Sequence, residues 1–237
     1  MNYELLLLDF DGTLVDTRGA ITACLQATFE EFGRTPPTAE RIQALIGMNL
    51  KRTMQAHAPD LGDEEAQKWV LRYRELYGRL GRDLSRPYPL VVETLEKLHH
   101  AGVTMAALSN KGHQQLIDSL EHLGMMRFMS LVSGDRLERP AKPDASVVHE
   151  EVRGAFPDVA LDRMLVVGDG EQDAQLAENA GVACCWVSYG CGDRAKCLAH
   201  GPKYVIDHFA QLEAVVLGHA ARERMLKDSQ QVQRRRT

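Results

Sequence analysis

Asp9 and Asp11 stand one residue apart at the end of an apolar run, in the segment LLLLDFDGTLVDT at residues 5–17. Two carboxylates held this close at a buried rim repel each other unless a cation or a shared proton offsets the cost. The alternative is a simple turn, since Asp and Gly both favour turns. The leucine run before them reads as a strand buried on both faces of a parallel sheet. Open α/β sheets bind ligands beyond the carboxyl ends of their strands, which is where this pair falls.

Three further polar clusters follow short apolar runs or precede a helix. VTMAAL runs into Ser109-Asn110-Lys111-Gly112, MLVV runs into Gly168-Asp169-Gly170-Glu171-Gln172-Asp173, and Lys142-Pro143 closes a polar stretch between them. Each has an ordinary explanation. Ser109 and Asn110 suit helix N-caps, Asp169-Gly170 suits a turn and Asp173 a helix N-terminus, and Lys142 suits the solvent-exposed surface. Those explanations must hold independently, whereas one functional reading covers all four clusters. Acids, a lysine and a hydroxyl gathered at one rim suit a hard cation together with a phosphate. Mg²⁺ takes carboxylate, water and phosphate oxygens, while lysine and backbone N–H groups stabilise the phosphoryl oxygens.

The elements that must position these groups fall into two patterns. Residues 18–86 read as helical throughout: Ile21, Leu25, Phe29 and Phe32 form an apolar stripe, Gly33 and Pro36-Pro37 end it, and helices follow over 39–46, 50–57 and 63–80. From residue 87 onward, helices over 90–100, 113–123, 145–156 and 171–180 alternate with short strands at 103–108, 130–133, 164–167, 183–187 and 204–206, before a C-terminal helix. That alternation predicts βαβ units and a parallel sheet. The expected fold is α/β, a doubly wound parallel sheet with a Rossmann-like core and an inserted α-helical cap. The core takes residues 1–16 and 87–237 and the cap takes 17–86. The basic tail at 230–237 is expected to fray.

At 237 residues and 44% hydrophobic, the chain can bury a full core, and a net charge of −5 gives none of the basic bias of nucleic-acid binders. No apolar run approaches a membrane span, and the first 15 residues lack a basic region followed by a signal-type stretch. The five cysteines form no CxxC pair and no zinc-finger spacing with histidine, so free thiols and a cytoplasmic location are expected. The pattern leaves oligomeric state open.

Taken in order, DFDGTLVDT, SNK, KP and GDGEQD resemble the four motifs of the haloacid dehalogenase superfamily, and the helical insert lies where that family carries its cap. The resemblance implies that Asp9 is a nucleophile forming an aspartyl-phosphate and that Asp11 is the general acid/base. Ser109, Asn110 and Lys142 would bind the phosphoryl group. Mg²⁺ would be held by Asp9, Asp169 and the backbone carbonyl of Asp11, with Asp173 holding metal-bound waters. The physics of the first motif adds that Asp11, beside an ionised neighbour, should hold its proton more tightly. Gly170 stands where the family usually has Ser or Thr, and Ala145 replaces a common proline. The pair of aspartates in the first motif argues against dehalogenase and phosphonate-cleaving branches. The implied activity is a phosphatase acting on a small phosphorylated metabolite, most similar to the phosphoglycolate phosphatase branch, in which VSYGCG resembles a glycine-containing loop. A sugar phosphomutase and a non-catalytic phosphate-binding regulator are the alternatives. Within the cap, Gly47-Met48-Asn49 is the expected active-site loop, and Lys51 and Arg52 are candidates for a substrate carboxylate, although exposed helix charges are the commoner case. His57 has no assigned role.

Overall fold

A computed structural model describes residues 1–136 and 139–218. The tail at 230–237 therefore lies outside the described residues. Six parallel strands form the sheet: β1 (Leu5–Leu8), β4 (Thr104–Gly112), β5 (Leu131–Asp135), β6 (Met164–Gly168), β7 (Ala183–Val187) and β8 (Tyr204–Ile206). Their spatial order is β5-β4-β1-β6-β7-β8, which places β1 between β4 and β6 at the sheet centre.

The four leucines of β1 explain that position. Leu6 and Leu8 pack into one apolar cluster with Val91, Leu95, Leu116 and Leu212, whereas Leu5 and Leu7 pack into another with Val148, Val166, Leu176 and Ala177. Alternation along a strand sends successive side chains to opposite faces, so a run apolar at every position needs cover on both. Helices α5 (Val91–His100) and α6 (His113–His122), with the short helix Leu212–Leu217, supply one cover. Helix α8 (Glu171–Ala180) and the helical stretch that starts at Val147 supply the other. This is the doubly wound arrangement expected from the sequence.

Between β1 and β4 lie α1 (Arg18–Glu31), α2 (Ala39–Gln43), α3 (Leu50–His57) and α4 (Asp63–Leu80). They pack on a third cluster of their own, built on Leu25, Phe29, Ile42, Met54, Trp69 and Tyr73. The chain enters and leaves this cap through β2 (Val15–Asp16) and β3 (Arg86–Pro87), an antiparallel pair in which Val15 faces Pro87 and Asp16 faces Arg86.

Local expectations shift in several places. The helix expected over 145–156 is a π-helix at Val147–Val152 followed by a short α-helical turn, α7 (Arg153–Ala155). The strand expected at 130–133 runs over Leu131–Asp135. Strand β4 continues to Gly112 with a register shift between Leu108 and Gly112, so Ser109 and Asn110 remain in strand and Gly112 is the residue preceding α6. They are not helix caps.

Candidate active site

Each polar cluster leaves the sheet at the same edge. Asp9 follows β1, Ser109 and Asn110 lie near the C-terminal end of β4, and Asp169 follows β6. Asp173 sits in the first turn of α8, and Lys142 comes from the loop after β5. Lys142 joins them: its Nζ donates to Asp9 Oδ1 at 2.5 Å and to Asp173 Oδ1 at 2.5 Å, with all three side chains buried. The Asn110 amide ties this loop to the strand by donating to the Lys142 carbonyl at 3.0 Å.

Asp169 is held from several sides. The Thr13 hydroxyl donates to its Oδ1 at 2.9 Å, the Cys191 N–H donates to its Oδ2 at 2.6 Å, and the Trp186 indole donates to its carbonyl at 2.7 Å. The VSYGCG loop makes this enclosure possible. A Cβ on Gly190 would lie 2.3 Å from the Asp169 side chain, and one on Gly192 only 1.9 Å from its carbonyl oxygen. Both positions are glycine because the backbone passes too close for anything larger. Gly170 donates its N–H to Asp173 Oδ2 at 3.0 Å, which fixes that carboxylate at the helix N-terminus. The hydroxyl missing at Gly170 has a counterpart in Thr13, whose Oγ1 also lies 3.4 Å from Asp9 Oδ2.

Burial pushes the Asp9 carboxyl well above its ordinary range; Lys142 opposes that shift, while Asp173 and Asp169 add to it. Burial and then the neighbouring Asp173 push Asp169 up to about 6 against the pull of the Cys191 and Thr13 hydrogen bonds. Burial alone would lower Lys142, but Asp173 and Asp9 outweigh it and the ammonium is held charged.

Carboxylate oxygens of Asp9, Asp169 and Asp173 lie within 4.8 Å of one another, so this cluster can hold a metal ion. One ammonium against three buried acids leaves the pocket short of positive charge, and an all-oxygen donor set suits a hard divalent cation. The side chain of Asp11 lies outside this cluster. Its carboxylate accepts from Lys111 Nζ at 3.0 Å, and that ammonium also lies 3.7 Å over the Tyr77 ring. A cation, not Asp9, is therefore the dominant neighbour of Asp11.

Asp9, Asp11, Ser109 and Asn110 open onto one cavity of about 60 Å³ beneath the cap. The Asn110 side chain donates to the carbonyls of Gly47 and Lys142, at 2.9 and 3.0 Å. Both amide protons of this side chain are thereby engaged with backbone carbonyls. Gly47 and Met48 line the cavity, but Lys51 pairs with Asp63 at 3.0 Å and Arg52 is exposed. Neither of the two expected carboxylate partners is in the wall. The cap cation that is there is Arg74 of α4. Sequence reasoning missed Thr13, Lys111, Arg74 and Asp135. Thr13 and Lys111 lay within motifs already singled out, whereas Arg74 and Asp135 carried no local signal.

The chain belongs to the haloacid dehalogenase-like hydrolase family, whose model matches residues 6–187. It is 32% identical to a phosphoglycolate phosphatase of Agrobacterium fabrum over 217 residues, covering 88% of this chain and 90% of that protein. A phosphoglycolate phosphatase of Vibrio parahaemolyticus is 30% identical over 222 residues, covering 90% of this chain and 96% of its own. Among solved structures, a haloacid dehalogenase-like hydrolase of Streptococcus pneumoniae superposes with a TM-score of 0.79 at 24% identity, covering 90% of this chain and 98% of the other. That likeness supports the fold. By family the protein is a hydrolase, and no helix among the described residues is long and apolar enough to cross a membrane.

Proposed function

We propose that this protein is a Mg²⁺-dependent phosphatase that hydrolyses a small phosphomonoester, phosphoglycolate-like or a sugar phosphate, through an aspartyl-phosphate on Asp9. The observation that carries this reading is the convergence of Asp9, Lys142, Asp169 and Asp173 from three chain segments into one buried cluster, whose Asp9 also lines the small cavity beneath the cap. The names of the Agrobacterium and Vibrio relatives make phosphoglycolate the first substrate to try.

In this reading Asp9, Asp169 and the carbonyl of Asp11 hold the ion, with Asp173 supporting its waters. When bound, the ion supplies positive charge against the phosphate oxygens. An Asp9 carboxylate oxygen attacks phosphorus, the bond to the substrate's alkoxide oxygen breaks, and Asp11 gives that oxygen its proton. Asp11 then takes a proton from the incoming water, whose oxygen displaces Asp9 from phosphorus and releases inorganic phosphate. Lys142 and Ser109 stabilise the phosphoryl oxygens, and Lys111 holds Asp11 in place. The cap excludes bulk water while this happens. Five free cysteines fit a reducing compartment, and we place the enzyme in the cytoplasm.

The test is phosphate release from a panel of phosphoglycolate, sugar phosphates, nucleotides and pyrophosphate with Mg²⁺. Asp9→Asn should lower turnover by about 10³-fold or more while circular dichroism stays native. A variant of normal activity would end the nucleophile assignment. Product analysis with a bisphosphorylated sugar separates a mutase, and a silent wild type across the panel would favour a binding protein.

A further inference from the structure

Two cations stand in the wall of the cavity, and they differ in how fully they are engaged. Lys111 is committed to Asp11 and lies over the Tyr77 ring. Arg74 on α4 donates from Nη2 to Asp135 Oδ2 at 2.7 Å, while its Nε is buried and has no hydrogen-bond partner among the described residues. A buried guanidinium N–H left without an acceptor is costly, and a ligand that supplies one gains what the free protein lacks.

The core leaves room beside this guanidinium. A Cβ on Gly112 would lie 2.4 Å from Gln115 Oε1, 2.8 Å from Arg74 Nε and 3.1 Å from its Cζ. Gly112 has φ −50° and ψ 134°, a backbone any residue adopts, so its glycine is explained by space and not by strain. Asp135 fixes the other end of the group, and Asn49 holds Asp135 by donating to its Oδ1 at 3.0 Å. The rest of the cap wall is mainly apolar, with Ile21, Leu25, Ile46 and Met48. A single oriented cation in such a wall selects for a single anionic group, and the cavity of about 60 Å³ limits how far that group stands from the phosphate.

We infer that Arg74 is the specificity residue of this site, its guanidinium pairing with a carboxylate on the leaving group, and that the substrate is a short phosphorylated hydroxy acid. Asp135 and Gly112 are positioning residues for it. The inference rests on the phosphatase reading above and adds to it the chemical class of the leaving group. It also replaces Lys51 and Arg52, the candidates suggested by sequence.

Two substrates that differ only at the leaving group test it: phosphoglycolate and 2-hydroxyethyl phosphate, in which an alcohol replaces the carboxylate. The readout is the ratio of their kcat/KM values. Wild type should favour phosphoglycolate by about 10- to 100-fold, the range expected for one charge-assisted hydrogen bond in a dry site. Arg74→Met should bring the ratio close to one, Arg74→Lys should fall between, and Gly112→Ala should shift it in the same direction. Arg52→Ala should leave it at the wild-type value. Because Arg74→Met strips Asp135 of its cationic partner, the double variant R74M/D135N is measured alongside and should show the same collapsed ratio.

If Arg74 merely latched cap to core, both substrates would suffer together and the ratio would hold, which overturns the inference. Equal use of both substrates by the wild type overturns it as well while leaving the phosphatase reading intact. Calorimetric titration of Asp9→Asn with each compound gives a readout independent of turnover. A preference for phosphoglycolate that vanishes in D9N/R74M supports the inference, and binding that is equally tight before and after counts against it. A wild type that hydrolyses no phosphomonoester would instead remove the phosphatase reading, and this inference with it.

Discussion

The core and cap sides of the site are built on different principles. On the core side, the acids and Lys142 meet partners brought from elsewhere in the chain: Lys142 bridges Asp9 and Asp173, Thr13 and Cys191 hold Asp169, and Gly170 holds Asp173. On the cap side the wall is mostly apolar, and its one arginine keeps a donor in reserve. Groups that perform chemistry have to be fixed before the substrate arrives, because reorganising them during reaction would cost rate. A group that recognises a substrate does the opposite, leaving an interaction unmade until the ligand completes it. The side-chain bonds named here between the walls (Asn110 to Gly47, Asn49 and Arg74 to Asp135) are polar. Each wall meanwhile keeps its own apolar clusters.

Removing Lys142 strikes this contrast hardest. Lys142→Met leaves Asp9 and Asp173 buried without the ammonium that stands 2.5 Å from each. Breaking a buried pair by deleting one partner costs about 3–5 kcal/mol. Chelator-treated variant should show a loss of that size in urea unfolding, and Mg²⁺ should restore more stability to it than to the wild type. Equal stability of the two proteins would mean that the core wall is no more tightly determined than the cap.

Thr13 offers a milder test of the same wall. Thr13→Val keeps the shape but deletes the hydroxyl that donates to Asp169 at 2.9 Å. A hydrogen bond to a charged group contributes about 1.5–3 kcal/mol, so kcat should fall by about tenfold or more, and the Mg²⁺ concentration for half activity should rise. Loss of stability alone, with an unchanged metal requirement, would place Thr13 in the scaffold and not in the site.

How much of this was legible follows from the range of each signal. The apolar run at Leu5–Leu8 announces a central strand because being apolar at every position is a local property of the chain. The aspartates after it and after β6 are readable because strand ends and turns are local too. Arg74 and Asp135 are 61 residues apart and meet only through cap packing, so neither carries a local sign of the other. Lys51 and Arg52 show the complementary limit: nearness in sequence to the Gly47 loop does not say which way a helix faces. The two-residue strands β2 and β3 are shorter than any alternation can reveal. At Val147–Val152 the valine-rich spacing is compatible with an ordinary helix, and the wider π-turn is a tertiary choice.

His57 gives the smallest expected effect and isolates the cap from the chemistry. Both of its ring nitrogens are buried without a partner among the described residues, and its ring meets Phe29 edge-on, with centroids 6.3 Å apart. Burial first, and the charge of Arg41 second, lower its pKa below the ordinary 6.5. The unfolded chain therefore protonates this histidine at a higher pH than the folded protein does. As pH falls through about 6.5 the unfolded state binds more protons and stability is lost; well above 6.5 the residue has no pH-dependent effect. His57→Phe removes the proton uptake and keeps an aromatic ring against Phe29. The difference in thermal midpoint between pH of about 7.5 and about 5.5 should be smaller in the variant than in the wild type. The phosphoglycolate to 2-hydroxyethyl phosphate ratio should not move, because His57 packs within the cap and does not line the cavity. An unchanged pH difference would mean that the histidine is protonated in the folded cap, and a changed ratio would mean that cap packing reaches Arg74.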